Sequence, residues 1–248
     1  METSLHRELK LLYAEVPEAC EVQLDGFRID AIADGELIEI QHGSLGAIRN
    51  KVQALLSRGH VLRIVKPLAM KKFLINYPKK GATPESQRYS PKKSSPLEIF
   101  RDLVHFMSVF PHPALTIEIV MTEQEEHRRP RKKTRRFGKN YRQFDLRLRQ
   151  VFSRVSIKTA DDLWRLIDPG ELPDPFTSRD LAGAISQPCW LAQKMTYCLR
   201  KSGSVSIAGK RGNAVLYQRQ ADPPVEIIAA KEPVAKSRAA KKRTRRAA

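Results

Sequence analysis

The sequence predicts an α/β domain on a mixed sheet, in which an antiparallel meander is continued by a parallel crossover strand. A small α+β domain follows, with a flexible basic linker between the two and a disordered basic tail. Three observations predict this class. Between Glu21 and Gln41 three strand-like runs, EVQL, FRIDAIA and ELIEIQ, are joined by two Asp-Gly dipeptides, which favour two-residue type I′ turns because both central residues need positive φ. After Gln41 a segment of helical periodicity leads into a near-continuous apolar run, the pattern of a buried parallel strand. The net charge of +18 is confined to the second half: residues 1–125 hold 16 basic and 16 acidic residues, and residues 126–248 hold the other 29 and 11.

Taken in order, residues 4–13 (SLHRELKLLY) form an amphipathic helix with Leu5, Leu9 and Leu12 on one face and Glu8 beside the stripe. In the meander, a two-residue loop sets the register. Leu24 opposite Phe27 puts Glu21 across from Asp30, and Ala33 opposite Glu36 puts Asp30 across from Glu39. Three carboxylates then form one row. Like charges directly opposite are destabilising, so the row is either solvated or holds a cation. Phe27, Ile29 and Ala31 point to the core, Arg28, Asp30 and Ile32 to the charged side, and Leu37, Glu39 and Gln41 share that charged face.

Ser44 caps the next helix, in which Leu45, Ile48, Val52 and Leu55 recur through Arg58, and Gly59 stops it. Residues 60–66 are the buried strand, and strand, helix, strand at this length implies a right-handed parallel crossover. Five prolines between Pro67 and Pro96 predict loops, with a short helix at Ala69–Ile75 and a basic Tyr89–Lys93 segment. Residues 97–110 have helical spacing and residues 115–122 alternate as a strand. Residues 128–142 carry nine basic side chains and no acid, a composition that cannot bury a core. The expected divisions are therefore 1–125, a linker at 126–143, a second domain at 144–220 and a tail at 221–248.

In the second domain, 144–153 is expected to be helical. ADDLWRLI follows with Thr159 as N-cap, and SRDLAGAI with Thr177 as N-cap. A Ser186–Pro188 turn leads into helix 189–201, which buries Leu191, Met195 and Leu199 and exposes Gln193, Lys194, Tyr197 and Lys201. Gly203 ends it, and a hairpin with Lys210 and Arg211 at a glycine-rich tip follows. Trp164 and Trp190 are expected in the core.

Composition limits the function classes. The chain is long enough for a real core and for two domains. No stretch reaches the roughly 18 apolar residues of a membrane span, and the first residues lack a secretory signal pattern. Three cysteines, Cys20, Cys189 and Cys198, have neither disulfide nor zinc spacing, the pattern of a cytoplasmic protein with reduced thiols. Charge confined to one half points to nucleic acid rather than a membrane, because no amphipathic helix with a large apolar face accompanies it.

The helix, the meander with Asp30, Glu39 and Gln41, the crossover helix and the parallel strand together resemble the PD-(D/E)xK nuclease superfamily, over residues 4–66 with 97–122 as additions. In that family an Asp on the second strand and Glu-x-Lys on the third carry the chemistry. Asp30 and Glu39 match the acids, Gln41 stands where Lys is usual, and Glu8 matches a helix Glu that many members carry. The resemblance implies that Asp30 and Glu39 hold Mg²⁺ (or Mn²⁺), with the Ile40 carbonyl as a further ligand. It also implies that Gln41 positions water and Glu8 assists. Gln41 carries no charge, so a cation must come from Arg28, Arg49 or Lys51; Arg49 and Lys51 flank opposite edges of the helix stripe, and only one of them faces the site. Residues 159–217 resemble a winged helix-turn-helix. This implies a recognition helix at 189–201 with Gln193, Lys194, Tyr197 and Lys201 toward DNA, and Lys210 and Arg211 on phosphate. The implied partner is DNA, with RNA as the weaker option, pairing of two copies as is common in such endonucleases, and a nucleoid location. The competing expectation is a DNA-binding regulator whose nuclease-like domain is inactive.

Overall fold

The computed structural model describes residues 2–131 and 140–220. The first helix, α1 (Ser4–Tyr13), precedes the meander of β1 (Cys20–Leu24), β2 (Phe27–Ala33) and β3 (Glu36–Ile40). Both turns have the expected geometry. Asp25 and Gly26 have φ of 52° and 80°, and Asp34 and Gly35 have φ of 49° and 72°, the paired left-handed residues that a type I′ turn requires. After Ser44, which caps the Gly46 amide, a 3-10 turn (Leu45–Ala47) leads into α2 (Arg49–Ser57).

The crossover strand β4 (Leu62–Asn76) lies parallel to β3, with Glu39 paired to Ile64 and Ile40 to Val65. It runs ten residues beyond its expected end at 66, through the segment read as a short helix. Pro67 is tolerated because β3 has ended its pairing at Val65, so no ladder on that side demands an amide there. A four-residue strand, β5 (Ser86–Tyr89), pairs with the far half of β4. Residues 97–110 form only one α-helical turn, α3 (Phe100–Leu103), preceded by a 3-10 turn, although Ile99, Phe100, Leu103, Phe106 and Phe110 are all buried as the spacing required.

The largest departure is at β6 (Leu115–Pro130) and β7 (Tyr141–Ile157), two long strands paired from Ile117 with Ile157 to Pro130 with Tyr141. Residues 126–143, expected as a flexible linker, give 126–130 to β6 and 141–143 to β7; of the stretch between, 132–139 falls outside the described residues. The expected helix at 144–153 is strand. Its Phe144, Leu146 and Leu148 alternate with charged residues, a period of two rather than 3.6. The sheet has seven strands in the order β1-β2-β3-β4-β6-β7, with β5 on β4.

Both faces of this sheet are covered. On one, α1 packs Leu5 and Leu9 on Ala31, Ile38, Ile40, Val65, Val120 and Leu146. The other is covered by α2, α3 and the C-terminal helices α4 (Ala160–Ile167), α5 (Ser178–Ala184) and α6 (Cys189–Lys201). Thr159 and Thr177 each close a reciprocal capping box, with Asp162 and Asp180. A hairpin of β8 (Val205–Arg211) and β9 (Ala214–Arg219) completes the chain. Leu163, Trp164, Leu191 and Met195 share one core cluster with Phe100, Phe106 and Ile117, so the two expected domains are fused through a common interior. Trp190, expected in the core, is 44% exposed with the Arg101 guanidinium over its ring. Among the described residues no helix is long and apolar enough to cross a membrane. The tail at 221–248 lies outside the described residues.

Candidate functional site

The meander's register brings Asp30 and Glu39 to the place where β2 and β3 part. Ala33, Ile32 and Ala31 pair with Glu36, Leu37 and Ile38, and the ladder then stops. In place of the next ladder bonds, Asp30 Oδ2 accepts the Ile40 amide at 2.9 Å, and Oδ1 lies 3.1 Å from Nε2 of His6 on α1. Glu39 is 5% exposed and is held by Lys51 Nζ, which reaches in from α2 and also donates to the Arg28 carbonyl. A single lysine thus joins α2, β2 and β3.

The two carboxyls are driven apart electrostatically. Burial pushes Asp30 up, but the hydrogen bonds from His6 and the Ile40 amide outweigh it and hold the group below its ordinary value. Burial pushes Glu39 up, Lys51 opposes, the Asp30 charge adds to the rise, and the net value stays raised.

The expected row of three acids resolves into separate partnerships. Glu21, whose φ is 59°, lies at the register position opposite Asp30 but bonds Lys10 at 2.5 Å and pairs with Arg28. Lys10 is almost fully buried and also holds Glu2. Among the described residues no group of three or more His, Cys, Asp or Glu side chains is arranged to hold a metal.

The other expected site residues divide. Of the candidate cations, Lys51 faces the acids, Arg28 is committed to Glu21, and Arg49 is exposed. Gln41 turns its amide to the Ser44 carbonyl at 2.7 Å and holds the turn after β3. Glu8 does not reach Asp30. Its carboxylate accepts the Leu148 amide at 2.6 Å on the edge strand β7, next to the bulge at Arg149. The reason is a rotation of α1 about its axis. Its buried face is Leu5, Leu9 and Lys10 with Tyr13 half-buried, while Leu12 is 47% exposed. This rotation turns His6 toward the meander and Glu8 toward β7. His6 was missed because a single helix histidine has no periodicity of its own. Its offset of one from Leu5 was the available signal.

In the C-terminal segment, Gln193, Tyr197 and Lys201 form an exposed stripe at i, i+4 and i+8 on α6, with Lys194 half-buried beside it. Lys210 and Arg211 lie at the end of β8 rather than in the turn, which is Gly212-Asn213. Arg211 pairs with Asp180 and, with Gln193, Ser178 and Asn213, lines a cleft of about 520 Å³ between α5, α6 and the hairpin.

A protein of Treponema pallidum (strain Nichols), named an uncharacterized protein, is 28% identical over 225 residues, which cover 90% of this chain and 86% of the relative. No solved structure matches the chain significantly. A family model described as a domain of unknown function, DUF8091, matches residues 3–158, the span from the start of α1 to the end of β7. With well over half of its length so matched, the chain belongs to the DUF8091 family.

Proposed function

We propose that the chain binds DNA and hydrolyses its phosphodiester bonds at Asp30, Glu39 and Lys51. The observation that carries this reading is the juxtaposition, where β2 and β3 separate, of half-buried Asp30 with buried Glu39, whose charges act on each other, and of Lys51 held on Glu39. The order helix, antiparallel meander, crossover helix, parallel strand supports it, since this arrangement resembles the PD-(D/E)xK nucleases. Hard oxygen donors suit Mg²⁺ or Mn²⁺, and Mg²⁺ needs only one or two carboxylates because water and substrate phosphate fill its other positions. Asp30 and Glu39 meet that need and would hold the ion, which when bound supplies charge neutralisation at the phosphate and a more acidic water. Lys51 supplies the positive charge that Gln41 lacks. His6 and the Ile40 amide keep the Asp30 carboxylate ionised and oriented. Gln41 supports the turn instead of positioning water.

In this proposal α5, the Ser186–Pro188 turn, α6 and the β8–β9 hairpin act as a winged helix. Gln193, Tyr197 and Lys201 face the groove, Lys194 flanks them, and Lys210 and Arg211 contact phosphate. Pairing of two copies on one duplex and association with the nucleoid belong to the same proposal. The test is incubation of plasmid and linear DNA with Mg²⁺ or Mn²⁺, comparing wild type with Asp30→Ala and Glu39→Ala. Cutting by wild type alone is expected; equal cutting by all three would remove the assignment. A second reading, a DNA-binding protein without catalysis, is favoured by the partners both carboxylates already hold, His6 and Lys51. Salt-sensitive binding by wild type with no metal-dependent cutting would establish it over the first.

A further inference from the structure

A second cleft, of about 750 Å³, opens at the far ends of β4, β6 and β7. Its floor is aromatic. Tyr77 stacks on His127 with centroids 5.7 Å apart and bonds its Nδ1 at 3.0 Å, and Phe144 meets Tyr77 edge-on at 5.4 Å. Phe144 is aimed there by a β-bulge. His127 pairs with Asp145 and Arg128 with Gln143, which leaves Phe144 as the extra, unpaired residue of β7. Phe144 is 37% exposed, and the Arg129 guanidinium lies over its ring, 4.9 Å from the centroid, so a flat ligand would share this shelf with a cation.

The walls are cationic. Lys79, Lys80, Arg129 and Arg142 line the cleft, and among the described residues none of them is ion-paired to a carboxylate; the Asp145 carboxylate that also lines it is paired with Arg147. Nearby cations differ. Lys72 and Arg128 are neutralised by Glu126, Arg149 by Glu123, and Arg147 by Asp145. Unbalanced charge in a concave site attracts an anion, and rings beside it accept a flat apolar face.

We infer that this cleft binds single-stranded nucleic acid, with bases on the Phe144–Tyr77 shelf and phosphates on Lys79, Lys80, Arg129 and Arg142. A duplex buries its base faces in its own stack and cannot use the rings, whereas an unpaired strand can. The site is separate from α6 and from Asp30 and Glu39, and the inference does not rest on cleavage. Thr3, just before α1, lines its edge.

The test is binding of labelled oligo-dT and oligo-U to the full chain in EDTA, where cutting plays no part, with duplex DNA and heparin as comparison ligands. Phe144→Leu keeps the apolar bulk and removes the ring; it is expected to weaken binding of single strands about tenfold and to leave duplex and heparin binding unchanged. The exposed triple variant Lys79→Gln/Lys80→Gln/Arg142→Gln is expected to lower the salt slope by about 2. The two oligonucleotides distinguish DNA from RNA as the source of the strand. The inference is overturned if neither oligonucleotide binds, if neither variant weakens their binding, or if Phe144→Leu weakens heparin binding equally.

Discussion

Glu8→Ala separates a structural role from a catalytic one. In the structure the Glu8 carboxylate accepts the Leu148 amide at 2.6 Å, across 140 positions of sequence. With Asp145, which accepts the Ser4 amide at 2.9 Å and the Ser4 hydroxyl at 2.8 Å, it fastens α1 along the edge strand β7. A hydrogen bond to a charged acceptor contributes about 1.5–3 kcal/mol. Glu8 is half-exposed, so the low end applies, about 1.5 kcal/mol. For a chain of this size that corresponds to a fall in Tm of roughly 3–6 °C. Glu8→Gln keeps a neutral acceptor and should lose about half as much, since charge-assisted bonds are roughly twice as strong as neutral ones. The assay is a thermal scan by circular dichroism, paired with the plasmid-cutting rate per folded molecule. Unchanged Tm together with a cutting rate lowered tenfold or more would refute the tether and return Glu8 to the reacting groups.

The remaining predictions concern packing, the site and acid. Leu9 is fully buried under α1, so Leu9→Ala should cost about 3 kcal/mol in a denaturant titration; a loss under about 1 kcal/mol would mean α1 is not packed as described. Lys51→Met leaves the 5%-exposed Glu39 without its cation and should cost about 3 kcal/mol and abolish metal-dependent cutting, while exposed Arg49→Met should change neither; equal effects would remove Lys51 from the site. Acid should destabilise the fold below the ordinary aspartate value of 3.8. Burial pushes Asp145 up, but the Ser4 amide and hydroxyl and the Leu146 amide hold it low; the Lys158 and Thr159 amides do the same for Asp162 against burial, and the Thr177 amide lowers Asp180. Groups depressed on folding contribute stability above their unfolded value and lose it as pH falls through the folded one. Tm should therefore drop as pH falls below about 4, and Asp145→Asn should flatten the drop; a flat wild-type profile there would contradict these partnerships.

What was legible in the sequence by itself is what one or two turns of chain decide. Two Asp-Gly dipeptides determined the hairpins and hence the relation of Asp30 to Glu39, because Asp-Gly tolerates the positive φ that a type I′ turn requires at both residues. Thr159 and Thr177 marked two helix starts through bonds to residues three positions on, and the apolar spacing of 189–201 matched α6 to the residue. The tertiary structure decided the rest, because it depends on partners distant in sequence. Strand β7 formed where helix was expected because β6 supplies its ladder from across the basic stretch. The rotation of α1, set by what lies beneath Leu5 and Leu9, gave Asp30 to His6 and sent Glu8 to Leu148. Lys51 rather than Arg28 or Arg49 holds Glu39 for the same reason. A charge takes the partner that folding brings within a few ångströms, and local pattern cannot rank partners separated by a crossover.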